Sequence, residues 1–287
     1  MKQVVGVLAL VACVGCSTPT PGQPEVAAWR AAELEGAWAD VEVEPVERRG
    51  PLSLSVTVGD EELAKLEALD ARRASDLGAA RNLCLTLLAA DPESPGLLWR
   101  AARADADRVV LARAAGEPSE VRDLASLSAL DYARQAAERA PNDADAQAQL
   151  AYALGSTTHL LPMGERSARA HEVLDVVKRA LTLDPVHPVA LETKATLHLR
   201  LETLPWIATL FASDLPESDL VVAEGAARKA FAAIPSLEHR LLLAKVLVER
   251  NKDEEALRVL NLALPTDRWP RDAEIRPAVL ALRDELN

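Results

Sequence analysis

A chain of 287 residues can bury a sizeable core in one or two domains, and its formal net charge of -12 sets 44 acidic against 32 basic side chains. Nothing in that balance offsets repulsion from phosphates, so a nucleic-acid partner is disfavoured and the charge reads as surface solubility. Hydrophobic residues make up 49% but aromatics only 3%. Ala and Leu therefore carry the apolar share, which suits helices packed closely through small side chains.

The first residues set the compartment. Lys2 is a positive start, Val4 to Val14 form an apolar run, and Cys13-Val14-Gly15-Cys16-Ser17 follows. That run is shorter than the ~20 apolar residues a spanning helix needs. It resembles a bacterial lipoprotein signal, in which small residues precede a cysteine that is acylated and becomes the new N-terminus. Leu10-Val11-Ala12-Cys13 and Gly15-Cys16-Ser17 compete; Cys16 leaves the more normal apolar run and is preferred, with Cys13 the alternative. Serine after the acylated cysteine implies, in proteins of this kind, an outer-membrane anchor facing the periplasm, with the acyl chains supplying the membrane affinity. The expected division is a signal over residues 1–15, a Pro-rich tether over 16–24, an N-terminal cap segment over 25–59 and a helical domain over 60–287.

In the tether, Thr18-Pro-Thr-Pro-Gly-Gln-Pro24 favours extended backbone. Glu25 to Ala39 can form a short helix carrying Trp29 and Trp38. Next, Val41-Glu-Val-Glu and Leu52-Ser-Leu-Ser-Val-Thr-Val58 alternate about the turn Arg49-Gly50-Pro51. Alternation of this sort suits either a short β-hairpin or an extended strip that caps the end of a helical stack.

From Asp60 onward the pattern is helical. Leu63, Leu66, Leu69, Leu77, Leu83 and Leu87 recur at helical spacing until Asp91-Pro92. The same closure returns at Pro141, Pro185, Pro235 and Pro265, giving spacings of 49, 44, 50 and 30 residues. Counting back from each proline finds small residues at matching places: Ala80 and Cys84; Ala129, Ala133 and Ala136; Val173, Val177 and Ala180; Ala223, Ala227 and Ala230. Counting forward finds a second set: Leu98, Ala101 and Ala102; Leu150, Ala151 and Leu154; Leu191, Ala195 and His198; Leu243, Ala244 and Leu247. Small positions let helices approach, leucines fill the gaps, and each proline ends one pair before the next begins. This resembles the tetratricopeptide pattern, whose period is ~34 residues. The excess length falls inside each unit, between its first and second helix. The fold class implied is all-α: an α-solenoid of helical hairpins with elongated helix pairs.

One stretch is more particular. Leu204-Pro205-Trp206, then Ala212-Ser213-Asp214-Leu215-Pro216, a helix with Ala226-Ala227-Arg228-Lys229-Ala230, and Leu241-Leu242-Leu243-Ala244-Lys245 follow one another. They resemble the regulator-of-microtubule-dynamics family and its bacterial relatives over about residues 141–286. That resemblance implies repeats around a concave or partly enclosed groove. The lipid-anchored T components associated with TRAP transporters are similar in signal and repeat count.

Chemistry is poorly represented. The five histidines show no H-E-x-x-H spacing, no Cys/His set has zinc spacing, and no G-x-S-x-G, P-loop or G-x-G-x-x-G occurs. Carboxylates such as Glu61, Glu62 and Asp253 to Glu255 read as solvated helix starts, and Cys84 reads as core. No catalytic residue, metal or cofactor is expected. Binding is, through a groove lined by the first helix of each unit at Trp99, Arg103, Tyr152, Glu192, Thr196, Leu241 and Lys245. The expected partner is a periplasmic or membrane protein or peptide. The apolar insert with Trp206 and Phe211 raises the alternative of a lipid or apolar small ligand.

Overall fold

The structure is a computed structural model that describes residues 60–204, 214–262 and 269–287. The lipidation candidates Cys13 and Cys16, the β-hairpin expectation, and the insert residues Trp206 and Phe211 lie outside the described residues. All regular structure among the described residues is helical.

Five antiparallel pairs follow in order among these residues. They are α1 (Asp60–Ser75) with α2 (Leu77–Ala90), α3 (Pro95–Ala114) with α4 (Ser119–Arg139), and α5 (Ala144–Thr157) with α6 (Met163–Leu183). Then come α7 (Pro188–Glu202) with α8 (Leu220–Ala233) and α9 (Leu237–Glu249) with α10 (Asp253–Asn261), before a last helix, α11 (Asp272–Leu286).

The turn between pairs is the same device used repeatedly. At the end of α2, α4, α6 and α8 the N–H of Asp91, Ala140, Asp184 and Ile234 donates to the carbonyl four residues back, at 2.9–3.0 Å. Proline comes next, with no N–H to extend the ladder and a ring that restricts the residue before it. A capping side chain follows within two residues: Ser94, Asp143, His187 or Ser236 accepts the third N–H of the following helix. The continuous leucine pattern over residues 63–87 conceals a further break. Asp76 accepts the N–H of Ala79 at 2.9 Å and starts α2 one residue after α1 ends.

The aligned small residues are core. Cys84, Ala133, Ala136, Ala151, Ala180, Ala195, Ala223, Ala227, Ala230 and Ala244 each have no exposed surface. They let the helices meet at alanine contacts, with Leu98, Leu154, Leu243 and Leu247 filling between. The excess length of the units is spent in two ways. In the second pair it is helix, with α3 of 20 and α4 of 21 residues joined by a short turn. In the fourth pair it falls between Glu202, where α7 ends, and Leu220, where α8 begins. The expectation of an insertion in every unit therefore holds for the fourth, whereas the second lengthens its helices.

Curvature follows from which helices touch. The first helices of successive pairs pack on one another, α3 on α5, α5 on α7 and α7 on α9, and form an unbroken inner row. The second helices form no comparable row among the described residues, so the stack bends with α3, α5, α7 and α9 on its concave side. After α10 the chain turns back: α11 packs on α9 and α10 and also reaches α3.

Candidate functional site: the inner face

Each first helix brings a polar stripe to the concave side. On α3, Arg100, Arg103 and Asp107 recur at helical spacing and meet Asp70 and Arg73 of α1. The guanidinium of Arg100 donates to Asp70 at 2.6 Å, and that of Arg103 bonds the other oxygen of the same carboxylate. Both guanidiniums also stand over the Trp99 ring, 4.0 and 4.8 Å from its centroid. Burial alone would raise the Asp70 carboxyl, but the charges of Arg103 and Arg100 outweigh it and bring it down to about 2.

A second group lies deeper. Arg73 forms a fork on Asp107, at 2.7 and 2.9 Å, and Arg271 donates to the same carboxylate at 2.7 Å. Arg271 also donates to Glu238 of α9 at 2.9 Å. Next in line, the His239 ring spans the Ile234 carbonyl at 2.7 Å and Glu192 of α7 at 3.3 Å. These groups are almost wholly buried. Burial raises the Asp107 carboxyl, but Arg73 and Arg271 hold it below the ordinary range. Burial pushes Glu238 up to about 8 against the pull of Arg271, with the Glu192 carboxylate adding to the rise.

Arg271 comes from the turn before α11, not from a repeat. Asp272 holds this turn in place by accepting from Leu237 N at 3.0 Å and from Trp269 N at 3.1 Å. Trp269 packs against the cluster of Ala106, Ala148, Tyr152, Val189 and Ile234. The tail of the chain thus occupies the inner face between α3 and α9.

The groove residues expected from sequence divide accordingly. Trp99, Arg103, Tyr152, Glu192 and Leu241 do lie on the first helices, but they are buried and hold the fold together. Thr196 is half-buried and Lys245 is exposed. Partial burial and the positive charges of Arg200 and Arg113 hold the Lys245 ammonium below its ordinary range, so cations from α7 and α3 face it. The carboxylates Asp70, Asp107 and Glu238, with Arg73 and Arg271, were not singled out. Their available signal was the charged stripe 100, 103, 107 on a helix rich in alanine, leucine and valine.

A separate cavity of about 480 Å³ opens where α6, α7 and the connector to α8 meet. Leu174, Val177, Leu181 and Pro216 give it apolar walls, with His171, Lys178, Lys194, His198 and Glu217 as polar groups. Burial and the charge of Lys194 lower the His198 imidazole, whose Nδ1 accepts from Asp219 N at 3.2 Å. Among the described residues no group of histidine, cysteine, aspartate and glutamate is placed to hold a metal ion, and no helix is long and apolar enough to cross a membrane. Cys84 is core; burial pushes its thiol up to about 11.

Paired helices, a proline between pairs and a continuous inner row define a helical-repeat protein of the tetratricopeptide type. A solved structure described as a thermophilic TPR protein of Thermus thermophilus is similar in fold. It shares 18% identity, with a TM-score of 0.53, over 77% of this chain and 97% of the other. Residues 63–285 match the family described as Regulator of microtubule dynamics protein 1-3, and the chain belongs to that family. No curated protein matches.

Proposed function

We propose that this chain is a non-catalytic scaffold that holds a protein or peptide partner against its concave face while acyl chains on Cys16 anchor it to the periplasmic side of the outer membrane. The unbroken inner row of α3, α5, α7 and α9 carries this reading, because it forms one continuous surface on which Thr196 is half-buried and Lys245 exposed. The lipoprotein-like start supports the location, and a periplasmic setting gives no reason to carry over the microtubule association in the family's name. Lys245, with Arg200 and Arg113 near it, favours a partner segment that brings negative charge to that end of the groove. A pull-down from envelope extract with the full-length lipidated protein tests the reading. A partner is expected with the wild type and lost with Thr196→Arg combined with Lys245→Glu. Equal recovery by both, or recovery of nothing, would sink it.

The cavity beside the connector supports a second reading, a carrier of an apolar small molecule or lipid in the manner of a transporter-associated binding protein. Its volume falls in the ~300–1,000 Å³ range of ligand pockets, and Leu174, Val177, Leu181 and Val222 give it an apolar wall beside the cations Lys178 and Lys194. Native mass spectrometry of protein purified from its own host discriminates: a bound mass lost on Val177→Trp favours the carrier, and a bare protein mass removes it.

A further inference from the structure

The guanidinium of Arg271 lies between carboxyl side chains from helices at opposite ends of the inner row, Asp107 on α3 and Glu238 on α9. It enters from outside the repeats, on a turn that follows the last pair. Ala106, Ala148 and Ala190 stand at the positions that Trp269 and its neighbours approach, so a second backbone can come close to α3, α5 and α7. The features together are those of a peptide lying in a repeat groove: one aromatic on a small-residue floor, one arginine in an acidic pocket.

The cis occupant does not suit the site perfectly. Arg271 has φ +77°, a left-handed conformation that a side-chain-bearing residue adopts only at an energetic cost. Its Nη2 is fully buried and meets no acceptor among the described residues. An incoming segment with an arginine in ordinary backbone conformation, and a carbonyl beside it, would lack both penalties.

We propose that the pocket between Asp107 and Glu238 is a docking site for an arginine-bearing extended segment of the partner protein, and that the Trp269–Asp272 turn is a built-in ligand filling it until that partner arrives. This rests on the concave face being the binding face, and it names the chemistry recognised there. The pocket selects a guanidinium, whose planar N–H groups reach the carboxyl groups of Asp107 and Glu238 at once, a reach that an ammonium does not match. Because the cis segment is tethered at high effective concentration, it weakens any free competitor unless something opens the turn.

The test uses the full chain and a labelled peptide of its own residues 265–275 as the probe. With Arg271→Ala the pocket is empty of its guanidinium, and the probe should bind at least about tenfold more tightly than to the wild type. Binding should vanish when Asp107→Asn is added, and when the arginine of the probe corresponding to Arg271 is replaced by alanine. A folded Arg271→Ala protein that ignores the probe, or binds the alanine probe equally, overturns the proposal. Should Arg271→Ala fail to fold, hydrogen exchange on the wild type decides. If the amides of Trp269, Asp272 and Ile275 exchange through an opening distinct from that of Ala148 on α5, the turn is displaceable; if all exchange together, it is a permanent clasp and the proposal falls. The scaffold reading fails separately: a groove-dependent partner captured by a protein whose turn never opens would leave that reading standing and remove this one.

Discussion

Asp70 and Glu238 are both carboxylates on the inner face, and their surroundings drive them in opposite directions. Asp70 falls to about 2 in the folded chain from an ordinary 3.8. Its contribution is therefore fully present above pH 4 and is lost as the pH drops toward 2. A shift of that size corresponds to about 2 kcal/mol. Glu238 rises to about 8 from 4.5, so its folded state favours the proton: stability is greatest below about pH 4.5 and declines as the pH rises through 8. Urea midpoints measured from pH 3 to 9 should show both limbs. Asp70→Asn should flatten the acid limb and lower the midpoint at pH 7, since Arg100 and Arg103 lose their shared acceptor. Glu238→Gln should flatten the alkaline limb alone. A profile unchanged by either substitution would contradict these environments.

At the level of elements, the helices are locked by alanine. Ala227 on α8 has no exposed surface and sits with Leu191, Ala195, Ala223 and Leu243, so Ala227→Leu should overpack this contact and cost roughly 1–3 kcal/mol in a urea titration. Val221→Leu, on the exposed side of the same helix, should stay within about 0.5 kcal/mol. Such positions were legible in the sequence because proline and small residues repeat in register, and each is a local instruction to the backbone. The buried ion pairs were not legible in the same way. Asp70 lies 30 residues from Arg100, and nothing in the acid itself separates it from the solvated Glu61 one helix face away. The groove positions Trp99 and Tyr152 were found on the right helices, yet one heptad pattern serves both a surface that faces a ligand and one that faces the next helix. Trp269 and Arg271 gave least warning, because a turn outside every repeat has no periodicity to reveal where it will lodge.

For the molecule as a whole, the bond from Arg271 to Asp107 joins residues 164 positions apart. In an open stack each pair touches only its neighbours, so stability is nearly a sum of local terms and either end can fray while the rest persists. Here the last turn is fastened to α3, and α3 is fastened through Asp107 to α1. Loss of the helices at one end therefore weakens the other, whereas the turn by itself opens with the helices in place. The array should consequently unfold as a single cooperative unit, with helix loss by circular dichroism and tryptophan fluorescence superimposing across a denaturant series. Asp107→Asn should separate the two curves, as the repeats regain the independence of a linear chain. Such a ring also places a long loop closure among the last events of folding. While a polypeptide is still emerging N-terminus first, α1 to α10 are complete before Trp269 and Arg271 exist to fill the groove, so every newly made molecule passes through a stage with its inner face uncovered.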